Sequence, residues 1–315
     1  QEVMSAPPYY KQNRLKQLRA FCYSARLGSI SRAAEQLFLS QPSVSLQVQA
    51  LERELDVELF ERRGPRIRLT SQGEALLELA QPLVQGIDGI ADSFASELGN
   101  LNSGEINIAA GESTILYLLP EPIKRFANAY PGVRIKLHNV TGRDGMAMLR
   151  ADEADFAVGS MLEVPEDVSY RPIFDFKTML ITPLDHPLAG KRAASIKLQD
   201  IGPHGLILPP RHLATWRLVE MVFAQHQVDY SVTLEAGGWE VIKKYVELGL
   251  GISIVTAICL EGDEKVAQIP LDRFFPNRSY GVVLRKRKYL SPPARHFLDM
   301  MAPGFSGHLD STIDG

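Results

Sequence analysis

From Leu15 onward, apolar residues recur every three or four positions. Leu15, Leu18, Phe21, Cys22 and Ala25 share one face of a 3.6-residue helix, which predicts a first helix over Leu15 to Leu27. Gly28 supplies the usual helix stop. Ser31 is read as the N-cap of a second helix, Arg32 to Leu37, and Ser40 as the cap of a third. Pro42 lies in that third helix's first turn, where a missing N–H breaks no bond. Val44, Val48, Leu51 and Leu55 continue it as an apolar stripe. Only three or four residues separate the second helix from the third, the spacing of a helix-turn-helix. Beyond the turn signal Gly64-Pro65, Ile67 and Leu69 alternate with Arg66 and Arg68, which predicts a small basic hairpin, a wing.

Thr70 or Ser71 then caps a long helix, about Gln72 to Leu98. Leu76, Leu79, Leu83, Ile87, Ile90, Phe94 and Leu98 form one narrow stripe along it. Such a stripe pairs with another helix, which points to dimerisation; the alternative is packing on its own domain. Pro82 is expected to kink this helix or to force a local adjustment. After Gly104 the pattern becomes short strands alternating with helices. Strands are expected at Ile106–Ala110, Val133–Val140, Phe156–Val158, Thr178–Pro183, Gly205–Leu208, Ser231–Leu234, Ile252–Thr256 and Tyr280–Leu284, with helices such as Trp216–His226 and Val241–Leu248 between them. That order indicates an α/β domain with mainly parallel sheets, as one body or two lobes. The expected layout is an extension (1–14), a DNA-binding domain (15–70), a linker helix (71–99), an α/β domain (104–303) and a flexible Gly- and Ser-rich tail (304–315).

The 315 residues exceed one ordinary core, in keeping with two domains. No apolar run reaches the ~18 residues a membrane span needs, and the N-terminus lacks a signal-peptide pattern, so a cytoplasmic protein without membrane contact is expected. Net charge is −3, but residues 1–70 hold 11 Lys/Arg against 7 Asp/Glu and the remainder 23 against 30. A basic head on an acidic body points to a polyanion partner for the head. Two distant cysteines, Cys22 and Cys259, fit a reducing compartment.

The stretch Ser31-Arg32-Ala33-Ala34-Glu35-Gln36-Leu37-Phe38-Leu39-Ser40-Gln41-Pro42-Ser43-Val44-Ser45 closely resembles the LysR-type transcriptional regulators. Leu51-Glu52-Arg53-Glu54-Leu55, Leu59-Phe60-Glu61-Arg62 and Leu69-Thr70 extend the resemblance. Looser marks follow in order: Leu119-Pro120, Phe126, Tyr130-Pro131, Ala154-Asp155, His186-Pro187-Leu188-Ala189 and Gly249-Leu250-Gly251-Ile252. The resemblance implies an all-α winged helix-turn-helix, a linker helix and an α/β effector domain of two Rossmann-like subdomains resembling periplasmic binding proteins. Subdomain I would span about 104–178 and 280–303 and subdomain II about 179–279, with crossings near Thr178 and Ser279. It further implies a homodimer or homotetramer on double-stranded DNA with a T-N11-A core, a small-molecule effector, and RNA polymerase as a further candidate partner.

The third helix would enter the major groove, with Gln41, Pro42, Ser43, Ser45 and Leu46 near the base edges. Gln41 suits an adenine edge, and Pro42 and Leu46 a thymine methyl; family members often carry a basic residue at the position of Leu46. Arg62, Arg63, Arg66 and Arg68 are candidates for phosphate and minor-groove contacts rather than a merely solvated face.

In the α/β domain, ligands bind at the C-terminal ends of strands. Ser113, Thr114, Thr141 and the loop holding Pro209 and Arg211 follow strand ends; the resemblance implies a co-inducer in the cleft between the lobes, with Ser113, Thr114, Thr141, Ser160 and the Leu208 to Arg211 loop at the matching positions. For Ser113 and Thr114 the competing role is helix capping, and for Arg211 a surface position. A small anionic metabolite is the expected effector. Some family members sense peroxide through paired cysteines, and one cysteine in this domain argues against that. No catalytic residue, cofactor or metal site is expected: the seven histidines lack ligand spacing, no P-loop or Gly-x-Ser-x-Gly elbow occurs, and Gly249-Leu250-Gly251 lacks a third glycine. A solute-binding protein would leave the helix-turn-helix unexplained, and an architectural DNA protein would not need the second domain.

Overall fold

The computed structural model describes residues 13–61, 66–140 and 142–310. The chain divides into two compact units, Gln1–Leu101 with Arg287–Pro292, and Asn102–Lys286 with Pro293–Gly315.

The first unit opens with α1 (Arg14–Leu27), α2 (Ile30–Leu37) and α3 (Gln41–Leu55). Gly28 closes α1 in the left-handed conformation that glycine adopts without strain. The cap of α2 is Ser29, not Ser31: the Ser29 hydroxyl accepts the Arg32 N–H, so the helix starts earlier than expected. Ser40 caps α3 by accepting from the Ser43 N–H. Ala20, Phe21, Ala33, Val44, Val48 and Leu51 bury the facing surfaces of the three helices, whereas Leu55 is exposed. The hairpin β1 (Phe60–Glu61) and β2 (Arg68–Leu69) is antiparallel, with Phe60 opposite Leu69. The buried carboxylate of Glu52 accepts the Leu59 N–H at 2.9 Å and the Phe60 N–H at 3.4 Å, tying α3 to the hairpin.

Thr70 caps α4 (Ser71–Asp88), and its hydroxyl also donates to the Glu58 carbonyl. Pro82 stays inside α4. The expected single long helix instead breaks at Gly89, before α5 (Ile90–Glu97). The hydroxyl of Tyr289, in the returning segment of this unit, would lie 2.7 Å from any Cβ at Gly89, and it bonds Ser93 Oγ at 3.3 Å. Asp88 accepts from Arg19 and Tyr23, holding the end of α4 against α1.

The second unit contains β3 (Gly104–Ala110), α6 (Glu112–Tyr117), α7 (Pro120–Ala129), β4 (Val133–Asn139), α8 (Gly142–Arg150), β5 (Phe156–Gly159) and β6 (Val168–Phe176). There follow β7 (Thr178–Pro183), α9 (Leu198–Ile201), β8 (Gly205–Leu208), α10 (Ala214–Gln225), β9 (Ser231–Glu235), α11 (Trp239–Glu247), β10 (Ser253–Thr256) and β11 (Val266–Pro270). The unit closes with β12 (Arg278–Arg285), α12 (Pro292–Met301) and α13 (Phe305–Asp310). One sheet has the order β4-β3-β5-β12-β6, another β10-β7-β11, and β8 pairs with β9. The chain thus leaves the five-stranded sheet at Lys177 and returns to it at Arg278.

The sheets are mixed rather than mainly parallel. β3 runs parallel to β4 and β5, and β8 to β9, but β12 is antiparallel to β5 and β6, and β7 to β10 and β11. The reason is the return path: β12 enters from the edge at which β5 ends, so it must run back along it. The strands β6 and β11 complete the sheets and were not expected. Within the expected tail the described residues include α13, which buries Phe305; its carbonyl accepts from Arg171 and its ring lies under that guanidinium.

At Gly281 the ladder with β6 shifts register, and an added Cβ would meet the Arg171 carbonyl oxygen at 2.0 Å and Pro172 Cα at 2.6 Å. Gly281→Ala should therefore cost about 1–3 kcal/mol in chemical denaturation, as overpacking does. Gly237→Ala, with open space around it, should be near neutral.

Candidate DNA interface and effector cleft

On α3 the apolar face is spent on the core, and the opposite face carries the candidate reading residues. Gln41, Pro42 and Leu46 are exposed, Leu46 by 60%, and Ser43 and Ser45 are partly so. Ser43 has a second role, because its hydroxyl pairs with that of Ser40 at 2.8 Å. Phe38, in the turn between α2 and α3, adopts a left-handed backbone and is 94% exposed, a surface aromatic that sequence reading passed over. In the hairpin, Arg66 and Arg68 are exposed. Arg62 and Arg63 lie outside the described residues. One hydrophobic stripe remains uncovered: Leu79, Leu83, Ile87, Ile90, Phe94 and Leu98 of the α4–α5 segment and its end are all exposed, while Ala80 and Val84 on the other face are buried.

In the second unit, the parallel register of β3 with β4 and β5 puts the ends of all three strands at one sheet edge. Ser113, partly exposed, follows β3 in the first turn of α6; Ser160, also partly exposed, follows β5. Thr114 is buried, so Ser113 is the more accessible hydroxyl. Thr141, expected beside them, lies outside the described residues. Pro209 and Arg211 follow β8 in the other lobe; Pro209 is buried and Arg211 exposed, its guanidinium 4.9 Å from the centre of the Trp216 ring. Two residues here escaped sequence reading. Arg278, the first residue of β12, donates from Nη1 to the Thr215 hydroxyl of α10 at 2.9 Å.

A second cluster joins the lobes behind α6. The Tyr117 hydroxyl at the end of α6 donates to the Glu240 carboxylate of α11. Beneath it the buried Lys243 ammonium donates to Glu240 Oε1 at 2.8 Å, Glu264 Oε1 at 3.0 Å and the Cys259 carbonyl at 2.7 Å. Burial alone would lower the Lys243 pKa, but the two carboxylates outweigh it and raise it. For Glu264, burial works upward; the N–H groups of Glu261 and Gly262 together with Lys243 overcome it and bring the carboxyl to about 2. Both cysteines are buried, and loss of water pushes each thiol up to about 12. His186 accepts the Leu188 N–H and meets the His204 ring at 4.5 Å, a turn-forming role. Among the described residues no group of three or more His, Cys, Asp or Glu could hold a metal ion, and no helix is long and apolar enough to cross a membrane.

Comparison with known proteins follows the same division. Residues 15–74 match the family model for bacterial regulatory helix-turn-helix proteins of the lysR family, and residues 99–306 match the LysR substrate binding domain. The chain is 32% identical over 306 residues to a probable RuBisCO transcriptional regulator of Synechocystis sp., covering 94% of this chain and 88% of that one. In fold it is similar to a full-length OxyR variant from Pseudomonas aeruginosa (TM-score 0.63, 24% identity, covering 93% and 96% of the two chains). It is also similar to full-length CbnR complexed with its target DNA (TM-score 0.53, 23% identity, covering 91% and 98%).

The Glu264 pKa fixes a pH window. Because the folded value lies below the ordinary 4.5, its contribution is complete above pH 4.5 and is lost as pH falls from there towards about 2. Chemical denaturation across that range should show a steeper acid loss for the native chain than for Glu264→Gln. At neutral pH that variant, which strips a carboxylate from the buried Lys243, should be destabilised by about 3–5 kcal/mol.

Proposed function

We propose, because this chain belongs to the LysR family of bacterial helix-turn-helix regulators, that it reads promoter DNA through α3 and the wing and changes that binding when a small anionic metabolite occupies its second domain. In this reading residues 15–70 bind DNA, 71–99 link and dimerise, and 104–303 bind the effector. The two lobes are about 104–178 with 280–303, and 179–279. The site of action is the cytoplasm, and the DNA a partly palindromic T-N11-A site.

The observation that carries the DNA reading is the division of α3 into a buried apolar face and an exposed N-terminal face bearing Gln41, Pro42 and Leu46. An α-helix fits the major groove, where Gln41 can make two bonds to an adenine edge and Leu46 can touch a thymine methyl. Ser43 and Ser45 flank these contacts. Arg66 and Arg68, with Arg62 and Arg63 in the same hairpin by sequence, neutralise backbone phosphates. Contiguous apolar surface left open in one chain is a contact surface, and the stripe from Leu79 to Leu98 suits a second linker helix. That pairing gives the dimer a two-fold site requires, and a pair of dimers gives a tetramer. RNA polymerase is the partner through which such a protein would act on transcription.

For the effector, Ser113, Thr114, Thr141 and Ser160 on one lobe and Pro209 and Arg211 on the other follow strand ends, where ligands of α/β sheets bind. The ligand must bind one lobe arrangement more tightly than the other to change DNA binding.

The decisive experiment is footprinting and affinity measurement on selected T-N11-A sites, with and without a panel of small anions and neutral metabolites. A compound that alters the footprint supports the reading; unaltered binding across a broad panel refutes effector control. Arg68→Ala should weaken binding to all sequences alike and lower the slope of log affinity against log salt by about 0.9 per half-site. Leu83→Glu combined with Phe94→Glu should convert the assembly to monomers in sedimentation and abolish site-specific binding while leaving each unit folded by circular dichroism.

A further inference from the structure

We propose that Arg278 takes the charged group of the effector, a carboxylate, sulfate or phosphate, at the junction of the two lobes. This rests on the reading of the strand-end cleft as the effector site and adds the residue that recognises charge.

The strand register places Arg278 at the cleft. β12 runs antiparallel to β5 with Gly281 opposite Gly159, so Arg278 to Tyr280 extend past the end of β5, where Ser160 lies. β3, whose end leads to Ser113, is the other neighbour of β5, with Ala110 opposite Val158. Arg278 therefore stands at the same sheet edge as these hydroxyls. Its bond to Thr215 reaches the other lobe, since α10 follows the β8 loop that carries Arg211.

The electrostatics are those of an open anion site. Arg278 Nε is shut off from water and has no hydrogen-bond partner among the described residues. No carboxylate of the described residues forms an ion pair with Arg278 or Arg211. The nearby Asp175 is bonded to Ser279, and successive strand residues face opposite sides, so this carboxylate belongs to the other face. On its own side Arg278 lies against the Tyr280 ring, at 5.8 Å. Next to Thr215 in sequence, Trp216 is buried with its indole N–H unpartnered, and Arg211 stacks on its ring. Each guanidinium thus touches one of the two neighbouring residues Thr215 and Trp216 in the first turn of α10, and neither has a balancing charge among the described residues. A partly buried guanidinium lacking a counter-ion is costly, and a planar oxyanion relieves that cost through paired N–H···O bonds. Because Arg278 already holds Thr215, an anion drawing on its free donors acts on the tie between the lobes.

The test uses the full chain and its intrinsic fluorescence, since Trp216 is one of only two tryptophans. Sulfate, phosphate and malonate are titrated against chloride at matched ionic strength. The native chain should give a saturable change with at least one of the three. Arg278→Gln should weaken that binding by about tenfold or more, the value of a charged hydrogen bond. Arg278→Lys should retain part of it, and Arg273→Gln, a change at an exposed arginine bonded to the Ala193 and Ala194 carbonyls, all of it. Where Arg278→Gln disturbs the near-ultraviolet circular dichroism, Arg278→Lys and Thr215→Val decide instead. Native affinity in Arg278→Lys and Thr215→Val, or no saturable response of the native chain to any of the three anions, overturns the proposal. DNA affinity in the same samples separates the two readings. Anion binding that needs Arg278 but leaves DNA affinity unchanged sinks effector control and keeps the site. A neutral compound that shifts DNA affinity equally in the native chain and Arg278→Gln does the opposite.

Discussion

The second unit depends on one pairing, the antiparallel ladder of β6 and β12. Eight residue pairs join the strand that leaves the five-stranded sheet to the strand that returns to it. Backbone hydrogen bonds hold the outgoing and incoming passages side by side, so the two lobes share a narrow double connection instead of two independent tethers. The ladder's bulge at Tyr280/Gly281 gives it local twist, and the absence of a side chain at Gly281 lets the Arg171 carbonyl approach. Everything near the cleft inherits this geometry. The ends of β3 and β5, the start of β12 and the head of α10 meet where the chain passes between lobes.

The first unit solves a related problem with buried polar groups. A two-residue-strand hairpin has too few ladder bonds to stand alone, and Glu52 supplies the missing acceptors from α3. Thr70 fixes the hairpin's other end while capping α4, and Gly73 lets α4 approach so closely that a Cβ there would lie 2.2 Å from the Leu59 carbonyl oxygen. The motif residues Glu52 and Thr70 are thus positional. The outward face of α3 and, in the hairpin, Arg66 and Arg68 stay exposed.

Periodicity and caps made the helix-turn-helix legible, because its helices are short, amphipathic and ended by local signals such as Gly28 and Ser40. The misplaced cap of α2 came from two serines within two positions, between which only backbone conformation chooses. β6 and β11 were missed for a different reason. Both lie at sheet edges and contain proline, Pro172 within one and Pro270 at the end of the other, and a proline reads locally as a break although an edge strand tolerates it. The break at Gly89 depends on Tyr289, and the tail helix on Arg171, so both are long-range effects. Among the cleft residues, Ser113, Ser160 and Arg211 follow recognisable strand ends. Arg278 does not: at the head of a strand an arginine looks solvated, and only its tie to Thr215 and its buried Nε distinguish it.

The cluster behind α6 completes the physical argument. A lysine ammonium moved out of water would ordinarily lose its proton or its burial, yet Lys243 keeps both because two carboxylates and a carbonyl surround it. Lys243 in turn orients Glu240 towards Tyr117, so the far end of α6 is bonded to the opposite lobe while its first turn carries Ser113. α6 is a six-residue helix, so Ser113 in its first turn and Tyr117 at its end lie on one short element. The Tyr117–Glu240 bond is separate from the ladder of β6 and β12, whose strands both belong to the five-stranded sheet, so it ties α6 to α11 independently of the chain's two passages between the sheets.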